Sequence, residues 1–233
     1  MAWTKRLAGL ALAFVSAAWG APPAPAPLLD TMDLSAGNLL VVLRESVGEN
    51  KQDETLQPYG RITAAMPDGK RIEMSPSWYR YLGDMHIRLV FDGGQTLQSA
   101  LPNDLERLRL SPEDALDLAV RNLKRTYGGA QALPWSGGLQ QVHSAAPDFA
   151  SSYFLDRDFW LGQLREHPEG IVAAVPQRGG LVFGPADDED AVEELRFSVA
   201  ALYAAGGGAR VSSALYLFKD GRWSIFQRAQ KLQ

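Results

Sequence analysis

The chain contains no cysteine among its 233 residues. Disulfide bonds, thiolate metal sites, a cysteine nucleophile and lipid attachment through an N-terminal cysteine are therefore all excluded. The fold must instead be held by its hydrophobic core. About 200 residues are enough for this, because a domain of that size buries roughly 70% of the surface that its unfolded chain exposes.

The N-terminus has the pattern of a secretory signal peptide. Lys5 and Arg6 precede an apolar run over residues 7–19, and small residues follow up to Ala21. The run is shorter than the roughly 20 apolar residues that cross a membrane, which favours a cleaved signal over an uncleaved anchor. We predict a signal peptide over residues 1–20, and hence an exported protein, periplasmic or secreted, with no stable membrane insertion after cleavage.

The rest of the chain divides into a short leader and one predicted domain. Residues 21–30 are rich in proline and alanine, which favour extended backbone and cannot build a core. Residues 31–233 are predicted to form a single domain. Removing Lys5 and Arg6 lowers the 23 basic residues to 21, and 21 − 27 acidic residues gives a net charge of −6. Because no Lys/Arg cluster remains, we expect no nucleic-acid partner.

Turn and cap residues place most of the secondary structure. Turn signals predict three hairpins. Their paired strands are residues 61–66 with 70–74, 170–175 with 181–183, and 211–218 with 223–226. Ser111 as a cap and Pro112 in the first turn predict a helix over 112–127. A second helix is predicted over residues 152–166. A last helix is predicted to begin at the acidic residues 187–190 and to end at the glycines 206–208. This order predicts the α+β class, an antiparallel or mixed sheet built from hairpins with helices packed on one face.

Three stretches before the first long helix are less regular. Residues 38–44 fit either a buried strand or a helix segment. Residues 77–82 are compatible with a short helix. Residues 85–91 alternate in character, which predicts a strand whose one face, carrying His86 and Arg88, is exposed to solvent.

Part of the chain resembles a known family. The matching positions are the segment 111–123 with Ala119, Asn122 and Leu123, then Asp148, Ala150, Ser151, Leu155 and Trp160, then 172–178. They resemble the uncharacterised YtpQ-like family, domain of unknown function number 1444, over residues 61–226. The resemblance implies an α+β domain, cytosolic or exported, of unknown activity. The chain differs at Gly179, where family members often carry an acidic residue.

Motifs for catalysis or metal binding are missing from the sequence. No nucleophile-elbow pattern of glycines around a serine occurs, and no glycine-rich loop precedes a helix. His86, His143 and His167 are far apart and lack paired ligand spacing. We therefore predict no metal site and no cofactor, and we assign no catalytic residue.

Acidic residues leave one enzymatic alternative open. Asp148, Asp156 and Asp158 could supply the paired carboxyl groups of a glycoside hydrolase, although spacing alone cannot show that two of them face each other. The favoured interpretation is structural, with Asp148 capping a turn and Asp158 on an exposed helix face. The acidic run 187–190 is expected to cap and open the last helix.

A ligand site is predicted around the second hairpin. Arg178 lies at its turn, where a guanidinium can meet a carboxylate or phosphate. Trp160 belongs to an aromatic cluster that either lines a groove or forms the core seam between helix and sheet. The predicted ligand-binding residues are Arg178, Gln177, Asp148, Ser151 and Trp160.

These observations favour a non-enzymatic exported domain that binds an envelope protein partner or a small-molecule ligand. The alternative is an envelope hydrolase whose carboxylates, Asp148 or Asp156 with another acid, are brought together only by the fold. A purely structural partner domain is a third hypothesis. A deep pocket that contains Arg178 would favour a ligand, whereas a flat aromatic surface would favour a protein partner.

Overall fold

The computed structural model describes residues 32–46, 50–65, 68–94 and 96–229. The signal peptide predicted over residues 1–20 and the leader predicted over 21–30 lie outside these residues. From Met32 onward the described residues belong to one compact unit.

The N-terminal half of the unit forms a five-stranded antiparallel sheet. Its strands pair in the order β1, β6, β5, β2, and β7 also pairs with β6. The hairpin of β3 and β4 forms a separate two-stranded sheet, as its turn predicted. The strands are β1 (Leu39–Glu45), β2 (Gln57–Pro58), β3 (Ile62–Ala65), β4 (Arg71–Met74), β5 (Trp78–Arg80), β6 (Met85–Asp92) and β7 (Leu97–Ser99).

The C-terminal half forms a six-stranded antiparallel sheet in the order β13, β12, β10, β11, β9, β8. Both of its predicted hairpins, β10 with β11 and β12 with β13, are present. The second turns at Asp220 and Gly221, which both have positive φ. The strands are β8 (Gln131–Pro134), β9 (Gln140–His143), β10 (Ile171–Gln177), β11 (Gly180–Pro185), β12 (Leu215–Lys219) and β13 (Arg222–Gln227).

The described residues form four α-helices: α1 (Pro102–Leu108), α2 (Pro112–Tyr127), α3 (Arg157–Glu166) and α4 (Glu189–Ala205). As predicted, the Ser111 hydroxyl caps α2 by accepting from the Asp114 N–H, and Asp188 caps α4. A 3-10 segment, Pro147–Leu155, precedes α3. The helix predicted over 152–166 is therefore interrupted, since Asp156 has the non-helical ψ of 87°.

The α+β class with antiparallel sheets is confirmed. Helical segments cover both faces of the six-stranded sheet and not one face alone, because β10 is apolar on both sides. Val172 and Ala174 pack in the cluster that contains residues of α4. Ile171 and Ala173 belong to the larger cluster, which also holds Trp160 of α3.

Two predictions for the N-terminal half are wrong. Residues 78–80 form strand β5, not a short helix, because they pair with β2 on one side and β6 on the other. Most of the stretch 38–44, left open by the sequence, lies in strand β1 (Leu39–Glu45). Strand β6 has no solvent-exposed face, since His86 is buried and Arg88 is half-buried. Polar residues on this strand therefore face the interior of the protein.

A buried hydrogen-bond network joins the two sheets. Asp84, in the turn before β6, accepts from the hydroxyls of Ser212 and Tyr216 through its Oδ1 atom. The two hydroxyl oxygens lie 2.7 Å apart. Burial raises the pKa of Asp84, and the hydroxyl donors act in the opposite direction. The network fixes the β5–β6 turn of the first sheet against β12 of the second.

The turn approaches Tyr216 so closely that it requires glycine. Gly83 has φ of +66°, and a Cβ added there would lie 2.6 Å from the Tyr216 hydroxyl oxygen. Since Tyr216 is fully buried and holds Asp84, its ring has no room to move away. The sequence places a glycine where backbone conformation and packing both demand it.

We expect Gly83→Ala to lower the free energy of unfolding by about 2–4 kcal/mol, because left-handed backbone strain adds to overpacking. Gly69→Ala is the matched control, since Gly69 has φ of +81° and nothing lies within 4 Å of its added Cβ. It should cost only about 1 kcal/mol. Urea denaturation measures both, and equal losses would show that the contact with Tyr216 carries no energy.

Candidate functional site: an arginine-lined cavity

Three strands place charged and aromatic side chains next to one another on one face of the five-stranded sheet. Arg44 of β1 lies opposite His86 of β6. Two residues along, Val42 lies opposite Arg88, and Arg88 lies opposite Trp78 of β5. Opposed residues of antiparallel strands point to the same face, as do residues two apart along a strand. These five side chains therefore share one face.

A cavity of about 390 Å³ opens beside Arg44. Its walls come from β1, the β6–β7 hairpin, the end of α2, the 3-10 segment and the β10–β11 turn. The lining residues are Val42, Arg44, Asp92, Gly94, Thr96, Leu97, Tyr127, Asp148, Phe149 and Arg178. Two of the predicted ligand-binding residues, Asp148 and Arg178, thus meet in one cavity although they are 30 positions apart (178 − 148).

Backbone hydrogen bonds hold Arg178 at the turn between β10 and β11. Its N–H donates to the Ala209 carbonyl, and its carbonyl accepts from the Ser151 N–H, both at 3.0 Å. The turn is thereby fixed between the 3-10 segment and the loop after α4. In the side chain, Nη2 donates to the Gly208 carbonyl at 3.3 Å, while Nε is buried without a partner among the described residues. The guanidinium is positioned but incompletely hydrogen-bonded.

Arg44, Arg88 and Arg178 lie close enough to influence one another. Burial, followed by the charges of Arg178 and Arg88, lowers the pKa of Arg44 to about 10, while Asp148 acts in the opposite direction. Burial and the charge of Arg178 also lower the pKa of Arg88, against an opposing effect of Tyr59. Among the residues that the structure describes, no carboxylate lies within 4.0 Å of any of the three guanidinium groups. Their positive charge is only partly compensated.

Another part of the cavity wall is built around Asp92. The Tyr127 hydroxyl donates to its Oδ2 atom, and the Gly94 N–H donates to Oδ1 at 2.7 Å. Burial and the bond to Asp92 raise the pKa of Tyr127 to about 12. The Tyr127 ring stacks on Phe149, with centroids 5.1 Å apart and an interplanar angle of 21°. This wall is therefore formed without a ligand.

Next to the cavity, Arg88 is held between an imidazole and an indole. Its Nε donates to Nε2 of His86 at 2.8 Å, and its guanidinium carbon lies 3.6 Å from the centroid of the Trp78 ring. Burial, followed by the charge of Arg88, lowers the pKa of His86 to about 3. The imidazole therefore stays neutral near pH 7 and accepts from Arg88, so that the charge of the arginine is not compensated there.

The other acidic residues considered in the sequence do not form a second site. Lys124 Nζ lies 2.9 Å from the carboxylates of both Asp156 and Asp158. The Asp156 side chain is buried, whereas the Asp158 side chain is 85% exposed on α3, as its structural interpretation predicted. Both carboxylates are engaged by one lysine.

The three remaining predicted residues lie outside the cavity lining. Gln177 ends β10 and pairs with Gly180 and Arg210. Ser151 supports the Arg178 turn through its backbone N–H, and its hydroxyl is buried. Trp160 is fully buried and donates from Nε1 to the carbonyls of Tyr153 and Phe154. Its aromatic cluster is the core seam, the second of the two sequence interpretations.

Sequence reasoning missed Arg44, Asp92 and Tyr127. Their separation along the chain hides their proximity, and residues 38–44 could not be assigned to a strand. One signal was present in Arg44, a charged residue that ends an apolar run.

Within residues 32–46, 50–65, 68–94 and 96–229, no group of three or more His, Cys, Asp or Glu side chains could hold a metal ion. In the same ranges, no helix is both long and apolar enough to span a membrane. Comparisons of the chain with family models, with curated proteins and with solved structures find no match. The resemblance to the YtpQ-like family stays a prediction, and function has to be argued from the cavity.

The neutral state of His86 predicts a specific pH dependence. In the unfolded chain, His86 takes up a proton near pH 6.5, its ordinary pKa. In the folded protein it does so only near pH 3. Since the unfolded state then binds more protons, the free energy of unfolding should fall as pH drops from 7 towards 4. In His86→Gln this fall should be smaller. Urea denaturation at pH 7, 5.5 and 4 compares the slopes, and identical slopes would contradict the pKa shift.

Proposed function

We propose that this protein is an exported, non-enzymatic binding domain whose ligand is a small molecule with a carboxylate or phosphate group, held between Arg44 and Arg178. One observation carries the proposal. Two guanidinium groups line a single cavity, and neither has a carboxylate partner among the described residues. An oxyanion between them would accept charge-assisted hydrogen bonds, which are the strong ones.

The electrostatic environment supports an anion at this position. Arg44 is desolvated and lies near two like charges, an arrangement that costs free energy in the empty protein. A bound carboxylate or phosphate would offset this cost. The buried Nε of Arg178 has no partner in the described part of the chain, and an anion would supply one.

The size and walls of the cavity favour a small molecule. Its volume of about 390 Å³ lies in the range of small-molecule sites. Val42, Leu97 and Phe149 supply apolar surface beside the arginines, so that the ligand would have an apolar body as well as the anionic group. Arg61 and other surface cations do not offer such an enclosure.

A protein partner has less support from the surface. The exposed large apolar side chains include Ile72 of β4, Leu133 of β8, Leu161 of α3 and Phe197 of α4. These belong to separate elements, and isolated apolar residues are normal on protein surfaces.

The proposed export of the protein is supported by the N-terminal sequence pattern alone.

The alternative, an envelope hydrolase, is supported by one feature. Asp148 and a second acid, Asp92, line the same cavity. A hydrolase of the proposed kind needs two carboxylates in one cleft. Both oxygens of Asp92 already accept hydrogen bonds, from Tyr127 and Gly94. Because that carboxylate serves to hold the wall of the cavity, we favour binding over catalysis.

The binding proposal is tested by removing the arginines one at a time. We expect at least one of four anions, acetate, succinate, inorganic phosphate and 3-phenylpropionate, to bind in calorimetry. At about 100 times its Kd it should raise the Tm by roughly 5–10 °C. Arg44→Gln and Arg178→Gln should each weaken binding about 10- to 100-fold, the loss of charge-assisted hydrogen bonds.

Arg61→Gln is the matched control, since the Arg61 side chain is 81% exposed on the separate β3–β4 hairpin. It should leave the affinity unchanged. Binding that is equal in all variants, or no binding of any of these anions or of an amino acid, would overturn the proposal.

A second readout separates a ligand-binding arginine from a structural one. Arg44→Gln removes one of three like charges, so the free energy of unfolding of the ligand-free protein should stay unchanged or rise by about 0.5–1 kcal/mol. A structural arginine would instead destabilise the protein when it is removed. Urea denaturation without ligand measures the sign, and a clear loss of stability would favour the structural role.

Export predicts a defined N-terminus. If the N-terminal segment is a cleaved signal, the protein recovered from the periplasm or the medium should begin at Ala21, or at Trp19 if cleavage follows Ala18, because small residues precede both positions. Mass spectrometry of the intact protein measures this directly. An unprocessed chain found only in the cytoplasm would contradict the prediction.

A further inference from the structure

We infer that the ligand of the arginine-lined cavity is zwitterionic, an amino carboxylate whose carboxylate lies at Arg44 and Arg178 and whose ammonium group lies at Asp148. This inference rests on the proposed function, because it assigns the second charged end of the same ligand. It is drawn from how the four charged residues of the cavity are arranged.

The lining carries two charges of each sign. Arg44 and Arg178 are positive, and Asp92 and Asp148 are negative. None of the possible pairs among them lies within ion-pair distance in the described structure. Groups of both signs that line one cavity without forming ion pairs with one another are complementary to a ligand that carries both signs.

Burial distinguishes the two arginines from Asp148, whereas Asp92 is half-buried like the arginines. Arg44 and Arg178 are half-buried and lie beside Val42 and Phe149, which are buried. Asp148 is exposed, as are Thr96 and Leu97. The cationic groups therefore lie deeper and the free carboxylate lies at the mouth. A ligand that enters with its carboxylate first would leave an ammonium group near Asp148.

The two acids differ in what they can still bind. Asp92 accepts from Tyr127 and Gly94 and so holds the wall. Asp148 accepts no hydrogen bond from any residue in the described part of the chain, although its charge reaches Arg44. An ammonium group, with three N–H donors, fits the unoccupied carboxylate. Asp148 is therefore the residue that would distinguish an amino carboxylate from a simple carboxylate.

Three probes that differ only in their charged groups test the inference: phenylalanine, 3-phenylpropionate, which lacks the ammonium group, and 2-phenylethylamine, which lacks the carboxylate. The aromatic body is chosen because Tyr127 and Phe149 form a stacked wall. In calorimetry on the purified full chain, phenylalanine should bind about 3- to 10-fold more tightly than 3-phenylpropionate, and the amine should bind weakest.

Asp148→Asn should remove the advantage of phenylalanine without weakening 3-phenylpropionate. Asp117→Asn is the matched control, because Asp117 is exposed and lies ten residues before Tyr127 on α2, roughly 15 Å along the helix. It should leave all affinities unchanged.

The outcomes separate the two proposals. If 3-phenylpropionate binds as tightly as phenylalanine, or if Asp148→Asn preserves the difference between them, the zwitterion inference is overturned while the anion site stands. If neither these probes nor the four simple anions bind, the proposed function fails, and the inference fails with it.

Discussion

A buried carboxylate, Asp84, joins the two sheets on which the cavity depends. It accepts from Ser212 and Tyr216, so that the turn of the first sheet is fixed against the second. The cavity needs this junction, because Arg44 and Asp92 come from the first sheet and Arg178 comes from a hairpin of the second. Burial raises the pKa of Asp84, which means that the carboxylate depends on its two hydroxyl donors for compensation.

The arginines of the cavity differ from Asp84, because their charge is only partly compensated by neighbouring groups. Arg44 and Arg178 have few partners and lie near each other, whereas Arg157 on α3 is paired with Glu54. The fold can therefore compensate a charged side chain where a partner is provided, and it does not do so in the cavity. Such local departures from full compensation are typical of binding sites, where the ligand supplies what the protein lacks.

The sequence predicted those features that depend on a few adjacent residues, namely helix caps and tight turns. Ser111 and Pro112 placed the start of α2, and Asp220 with Gly221 placed the last hairpin, because caps and turns depend on a few adjacent residues. Sequence-based prediction failed where strand pairing determines the structure. Residues 78–80 form a strand because β2 and β6 flank them, and β5 also covers β6, on which His86 is buried. In the candidate site, Arg178 was singled out from its position at a turn and Asp148 from the family resemblance, whereas Arg44 and Tyr127 reach the cavity only through tertiary structure.

Strands, the end of α2 and the 3-10 segment supply most of the cavity lining, and hydrogen bonds hold the two turns that complete it. Arg178 is fixed on two sides by Ala209 and Ser151, and Asp92 is fixed by Gly94. Preorganised donors lose little further freedom when a ligand binds, which increases affinity. The mouth differs, since the Asp148 side chain is exposed and accepts no hydrogen bond from a described residue. In the proposed function, the half-buried arginines would determine whether an anion binds, and the exposed Asp148 would determine which anions are preferred.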